Sequence, residues 1–397
     1  MIKKSIFLII FVAFLSLFAN FNICNVCNAQ ELNEENENEA ILNEEIERQL
    51  NDLNLESLDS LYSDMDDEAK SIIGFESFSS FVRAIVNGDE DLSIETILNY
   101  FINSLKGLFT KLLPMIAVIV VVAFVYNLFS RVINSDVKNI VYLICFITIV
   151  LAVFILCKNS IFKVKDIILS IRDQMNYVFP ILLTLMTAVG GVTSVAIYKP
   201  IVSFLSVFIV NICAGILIPI VLYVLVFTIA GALNENVKLT KFIEMLKSIF
   251  KWCIGVCASL YLTVLSIKGI SSSLSDGVSI KATRYAIKNY IPYIGNFLSE
   301  GVDVIRVGSI ILKNSIGVGA VLIVVVVIII PLVELLAISV LLKFAAGICE
   351  PLSDGKISNF LSSLAKCMEM LIACLVCVGF MYFITILLMI GTANTVV

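Results

Sequence analysis

Long uncharged runs of apolar residues dominate the pattern of hydrophobic and polar positions in this chain. About 20 apolar residues cross the hydrocarbon core of a bilayer, and only helices or closed barrels can do so. Six runs are close to that length or longer, and they cover residues 112–130, 139–157, 200–234, 252–267, 314–333 and 370 to the C-terminus. We therefore predict an all-α polytopic membrane protein with about six or seven transmembrane helices.

The seventh run, residues 174–198, is ambiguous. It contains Pro180 and the pair Gly190-Gly191, which are residues that interrupt helices. The segment either crosses the membrane or enters and returns as a broken, re-entrant segment. Counting Lys and Arg in the loops does not separate these topologies, so the arrangement after residue 173 and the side of the C-terminus stay open.

The N-terminal segment 1–29 has the organisation of a secretory signal peptide. Lys3 and Lys4 precede an apolar stretch from Ile6 to Ala19, and a small-residue cleavage site ends at Ala29. We predict cleavage after Ala29, which would place the following region outside the cytoplasm. An uncleaved anchor helix is the alternative.

Residues 30–105 are strongly acidic, with 20 Asp and Glu against three basic residues. Apolar positions recur there at near-helical spacing, and one helix is expected from Ile72 to Val86, ending at Asn87. A second amphipathic stripe starts at Ile94 and needs a surface to cover, which could be this small domain, the bilayer interface or a partner. We predict an acidic helical extracytoplasmic region at 30–105, followed by the first two transmembrane helices at 106–160.

Composition excludes several functional classes. Hydrophobic residues make up 59% of the chain, charged residues 15%, and histidine is absent. Histidine is the commonest general base and metal ligand, so we expect no enzyme, no catalytic residues, no metal site and no cofactor. The 11 cysteines lie mostly in apolar runs and are expected to pack between helices. The acidic N-terminal region argues against nucleic-acid binding, whereas the lipid bilayer is an expected partner.

The membrane part contains a candidate internal tandem repeat, with units at 165–267 and 277–391. With one constant offset between the units, Pro180 corresponds to Pro292 and Pro219 to Pro331. Chance alignment of Ile/Leu/Val-rich sequence is the alternative. A real repeat would be typical of transporter folds, in which paired broken segments line a central site, and its units could be parallel or inverted.

Two groups of residues are candidates for function or for helix packing. The first is a small-residue stretch, which either permits close approach of helices or lines a pore. Its candidate residues are Gly190, Gly191, Thr193, Ser194 and Pro200. We add Pro292 and Gly295, which lie further along the chain. The second is Pro331 with Glu334. A charge at mid-bilayer costs at least about 2.5 kcal/mol, so Glu334 should be paired, face water, or mark the end of a span. Residues 313–319 are expected to form a turn at membrane entry.

The order of these features resembles the stage III sporulation protein AE family of endospore-forming bacteria. The resemblance rests on the signal peptide, the acidic helical region, the stretch 187–194 ending in Pro200, the sequence Ile-Pro-Tyr-Ile-Gly-Asn at 291–296, and residues 313–317. It implies a place in the mother-cell membrane around the engulfed forespore. It also implies partners in a secretion-like channel, namely an ATPase, ring-forming proteins and a forespore-membrane protein.

Two functions from different classes follow from these features. The resemblance implies a non-enzymatic structural or export-gate subunit of that sporulation channel, needed for forespore development. The candidate repeat and Glu334 favour the alternative, an autonomous transporter of a small solute or ion. The sequence identifies neither the cargo nor the stoichiometry.

Overall fold

The computed structural model describes residues 36–53, 55–63, 65, 70, 73–87, 94–132, 135–233, 239–263, 295–351 and 355–392. Within these ranges the regular structure is helical. The helices are α1 (Asn36–Asp52), α2 (Glu56–Ser63), α3 (Phe78–Asn87), α4 (Ile94–Val132), α5 (Ser135–Ala188), α6 (Val192–Ile212), a π-helix (Cys213–Leu217), α7 (Ile218–Leu233), α8 (Thr240–Thr263), α9 (Gly295–Cys349) and α10 (Lys356–Gly391). The prediction of an all-α fold is confirmed.

Six helical segments in the described residues are long and apolar enough to cross a membrane. They are Leu112–Phe129, Leu143–Ala188, Val192–Leu233, Thr240–Thr263, Val304–Cys349 and Lys356–Gly391. This agrees with the six uncharged runs of the sequence. The signal peptide at 1–29 lies outside the described residues and stays a prediction, as do the expected domain boundaries.

Helix α5 joins two sequence runs that were expected to be separate. It continues for 54 residues through the run 139–157, a charged stretch, and the first part of the ambiguous run 174–198. The expected break at Pro180 is wrong, because this proline lies inside the helix. The break falls at Gly190, whose φ of 99° suits glycine, and α6 then runs back along α5. The ambiguous segment therefore forms a helix, a turn and a returning helix.

Helices α9 and α10 pack as an antiparallel pair at the centre of the bundle. Near one end, Gly317 of α9 faces Ile390 of α10, and further along Gly379 of α10 contacts Ile328 of α9. The apolar part of this pair is mostly buried, since 72% of an apolar 18-residue stretch of α9 and 61% of one of α10 lie inside the protein. Helices α4 and α5 pack on α9, and α5 and α7 pack on α10.

The N-terminal helices attach to the first part of α9. Gln49 of α1 donates a hydrogen bond to the carbonyl oxygen of Ile305 at 3.2 Å and accepts one from Ser309 at 2.8 Å. The apolar face of α3 is buried and lies over Gly319. Close by, the Tyr62 hydroxyl donates to the carbonyl oxygen of Phe75 at 2.7 Å, and burial raises the Tyr62 pKa.

The helix that was expected from Ile72 to Val86 begins later in the structure, at Phe78. It ends at Asn87, where the end of the helix was predicted. The stripe that begins at Ile94 is helical and continues without interruption into the first membrane run as α4. Part of the candidate repeat, including Pro292, lies outside the described residues, so the repeat stays a prediction. Pro331 lies inside α9, and Pro219 lies directly after the first residue of α7.

Candidate functional site

Glu334, the acid expected to be paired, to face water or to end a span, is paired with Lys163. The Lys163 Nζ lies 2.6 Å from Glu334 Oε2 and joins α5 to α9. Both side chains are partly exposed, at 43% and 26%, so the pair lies on the flank of the bundle and not along its axis. Lys163 stands in the charged stretch of α5, and Glu334 closely follows Pro331 on α9. Of the three alternatives for Glu334, the structure shows pairing, with a residue 171 positions away in sequence.

A second ion pair lies nearby and joins α9 to α10. Lys343 contacts Glu369 through its ammonium group, and the two side chains are 41% and 38% exposed. Between these pairs, Ser339 donates to the carbonyl oxygen of Ala365 at 3.3 Å. We refer to Lys163, Glu334, Lys343 and Glu369 as the polar belt. The belt ties α5, α9 and α10 together within about 14 Å along the axis of α9.

The interior next to this belt is apolar. A cavity of about 30 Å³ lies between α9 and α10, which is room for one or two waters at most. It is lined by apolar side chains, among them Val321, Val325, Ile328, Val376, Phe380 and Phe383. Tyr261 of α8 donates to the carbonyl oxygen of Met381 at 2.8 Å and its hydroxyl also contacts that of Thr385. The cavity is therefore lined by apolar atoms and has room for no more than about two waters.

The small-residue stretch lies in a different part of the molecule. Gly190 and Gly191 form the turn between α5 and α6, and Thr193 and Ser194 belong to the first turn of α6, where Ser194 is buried. Pro200 lies inside α6. From Lys163 to Gly190 the chain rises about 40 Å along α5, so the structure does not bring this stretch together with Glu334. Pro292 lies outside the described residues, and Gly295 is the first residue of α9.

Sequence reasoning missed the role of Lys313. Residues 313–319, which were expected to form a turn, belong to α9, and the helix continues past them in both directions. The Lys313 side chain is fully buried, and its Nζ donates to the carbonyl oxygen of Thr392 at 2.7 Å. A cation at the C-terminal end of α10 satisfies a carbonyl that the helix leaves free and favours the helix dipole. A lysine directly before an uncharged run was the only sign in the sequence.

The cysteines behave as packing residues. The nine cysteines in the described ranges are free thiols, and six of them are buried. Cys213 of the π-helix contacts Cys374 of α10. Among the described residues there is no group of three or more His, Cys, Asp or Glu that could hold a metal ion.

Fold and contacts together define a helical membrane protein with an attached N-terminal helical region. The family model for stage III sporulation protein AE matches residues 76–393, which is most of the chain. The chain belongs to this family. It is also similar to stage III sporulation protein AE of Bacillus subtilis (strain 168), with 23% identity over 326 residues that cover 80% of this chain and 81% of the relative. No solved structure matches the chain.

Proposed function

We propose that this protein is a non-enzymatic subunit, structural or export-gate, of a secretion-like channel that links the mother cell to the forespore. It would lie in the mother-cell membrane around the forespore, with residues 30–105 outside the cytoplasm, and act with the other subunits of the apparatus. Membership of a stage III sporulation family and six apolar helices support a membrane component of sporulation.

The observation that carries the proposal is the apolar lining of the cavity between α9 and α10. An autonomous transporter needs a path through its own chain with polar groups placed to meet the solute. In the described residues, Glu334 is held on the flank by Lys163, and the cavity between α9 and α10 is lined by apolar side chains. A chain built in this way suits a conduit that forms between several subunits.

Reconstitution of the purified chain into liposomes tests this proposal against the transporter alternative. We expect no flux of small solutes or ions from the chain alone. In sporulating cells we expect it to co-purify with other subunits of the apparatus, and we expect its deletion to abolish a late forespore reporter. A chain that moves a solute alone, at a rate changed by Glu334→Gln, would favour the transporter and contradict the subunit role.

A further inference from the structure

Helix α8 is the least covered of the six apolar spans and also the least apolar. Only 17% of its apolar 18-residue stretch lies inside the protein, close to the 22% of α4, whereas the other four spans are 44% to 72% covered. A span that the protein leaves uncovered should be strongly apolar if lipid surrounds it. The span of α4 meets that expectation with a mean hydropathy of 2.6, but the span of α8 reaches only 1.3.

The polar residues of α8 lie on the side of the helix that faces away from the bundle. Phe250, Cys257 and Tyr261 are buried and mark the inner side. Because each residue turns an α-helix by about 100°, six exposed polar or small residues fall on roughly the opposite side. They are Lys241, Glu244, Ser248, Lys251, Gly255 and Ser259, and we refer to them as the outer stripe.

Acyl chains are a poor cover for the outer stripe. The uncovered side of α4 presents large apolar side chains such as Val121 and Phe124, which are 58% and 49% exposed. On α8, by contrast, the charged side chains of Lys241 and Glu244 are 93% and 60% exposed. Charges in hydrocarbon are costly, whereas polar and small residues of membrane helices favour contact with another helix. The outer stripe is therefore suited to a protein surface.

Gly255, in the middle of the outer stripe, has no close neighbour within its own chain. A Cβ at this position would meet nothing within 4 Å. Glycine is disfavoured relative to alanine inside a helix, so packing within the chain does not account for this residue. Ser259 follows one turn later, and small residues at this spacing let two membrane helices approach closely. Gly255 thus marks where a helix from outside the chain would come nearest.

The outer stripe is complementary to itself. Two copies of the chain share one orientation in the membrane, so a twofold axis along the membrane normal sets their α8 helices side by side and parallel. Lys241 and Glu244 lie on opposite sides of the line through Gly255, and the axis therefore brings Lys241 of each copy towards Glu244 of the other. Lys251 and Trp252 flank the same line, and Trp252 is 69% exposed. An ammonium group of one copy over the indole ring of the other makes a cation–π contact.

We propose that the outer stripe of α8 is an interface between two copies of this chain, in which the two α8 helices pack in parallel and come closest at Gly255. The exposed charges of the stripe are then paired across the interface. Apolar side chains on the flank of α8, such as Ile249 and Leu260, stay available to lipid. This interface goes beyond the proposed function and does not depend on it, because it needs no other subunit.

Disulfide cross-linking of the full-length protein in lipid vesicles tests which side of α8 meets the second copy. Ser259→Cys lies on the outer stripe, and Leu260→Cys lies at the same depth, about 100° further around the helix, at a position that is 52% exposed. The parent protein controls for the native cysteines. With copper–phenanthroline and air as the oxidant, we expect Ser259→Cys to give several-fold more covalent dimer than Leu260→Cys or the parent. Equal yields at the two positions, or a higher yield at Leu260→Cys, would overturn the proposal.

Energy transfer between donor-labelled and acceptor-labelled copies, measured as added lipid dilutes the protein, gives the strength of the association. We expect Gly255→Leu to weaken it by about tenfold or more, since overpacking of a close contact has an effect of this size. Gly347→Leu is the matched control, because a Cβ there also meets nothing within 4 Å. Glu244→Lys should weaken the association as well, and adding Lys241→Glu should restore it.

Two results of this measurement would contradict the interface. One is that Gly255→Leu behaves like Gly347→Leu, or that the double charge swap restores nothing. The other is that the parent protein stays monomeric while changes in the outer stripe weaken only its binding to a different protein, in which case the stripe belongs to another subunit.

Discussion

The close approach of α9 and α10 at Gly317 predicts a sharp steric effect of one added methyl group. A Cβ at Gly317 would lie 2.6 Å from Cδ1 and 2.7 Å from Cγ1 of Ile390. Carbon atoms pack best at about 3.5–4.0 Å, so Gly317→Ala overlaps Ile390 by about 1 Å. Overpacking of this kind costs about 1–3 kcal/mol.

Gly347→Ala is the matched control, because it lies on the same helix and its Cβ would have open space around it. Alanine is favoured over glycine inside a helix by about 1 kcal/mol, a gain that both variants share. We therefore expect Gly317→Ala to be less stable than Gly347→Ala by about 1–3 kcal/mol. The measurement is equilibrium unfolding of each variant in mixed micelles of a mild detergent and dodecyl sulfate.

The Ile390→Ala background tests the cause. The Ile390→Ala substitution removes both clashing carbons, so Gly317→Ala should be neutral or stabilising in that background. The difference between its effects in the two backgrounds is the coupling energy of the two sites, which should exceed about 1 kcal/mol. If Gly317→Ala matches Gly347→Ala in the parent protein, or if its effect is unchanged in the Ile390→Ala background, the helices are not in contact as described.

Three further outcomes are expected. Gly190→Ala should cost about 1–2 kcal/mol, because φ is 99° there, whereas Gly347→Ala, whose Cβ has open space, should not destabilise the protein in the same unfolding assay. Glu334→Lys and Lys163→Glu should each lower sporulation efficiency and the double swap should restore it, and failure of that restoration would mean the pair is not a direct contact. Burial raises the pKa of Tyr62, so the folded state should lose stability above about pH 10, where the unfolded chain ionises first. The Tyr62→Phe variant should lose less stability over that pH range in thermal unfolding.

The membrane helices were predictable from the sequence because lipid selects composition directly. A run such as 314–333, which carries no charged residue from end to end, has few other structural solutions. The turn at Gly190 was also signalled, since two adjacent glycines are costly inside a helix. Pro180 was misleading because a proline removes only one backbone hydrogen bond, and packing on both sides lets α5 continue through it.

Pairings between distant residues were not predictable from one sequence. The need of Glu334 for a partner follows from its surroundings, but several lysines could have met it, and the choice of Lys163 depends on how α5 lies against α9. The burial of Lys313 likewise depends on where α10 ends.

The π-helix sets the rotational phase of α7. A π turn holds one residue more than the α-helical path, and each residue of an α-helix turns the chain by about 100°. If Cys213–Leu217 were α-helical with no residue removed, the extra residue would not be absorbed and α7 would turn by about 100° relative to α6. The buried stripe of α7 that includes Val221 and Val224 would then rotate away from α10 by more than a quarter turn, and Tyr223, now 54% exposed, would turn with it. A single residue in this helix therefore decides which side of α7 belongs to the protein and which to its surroundings.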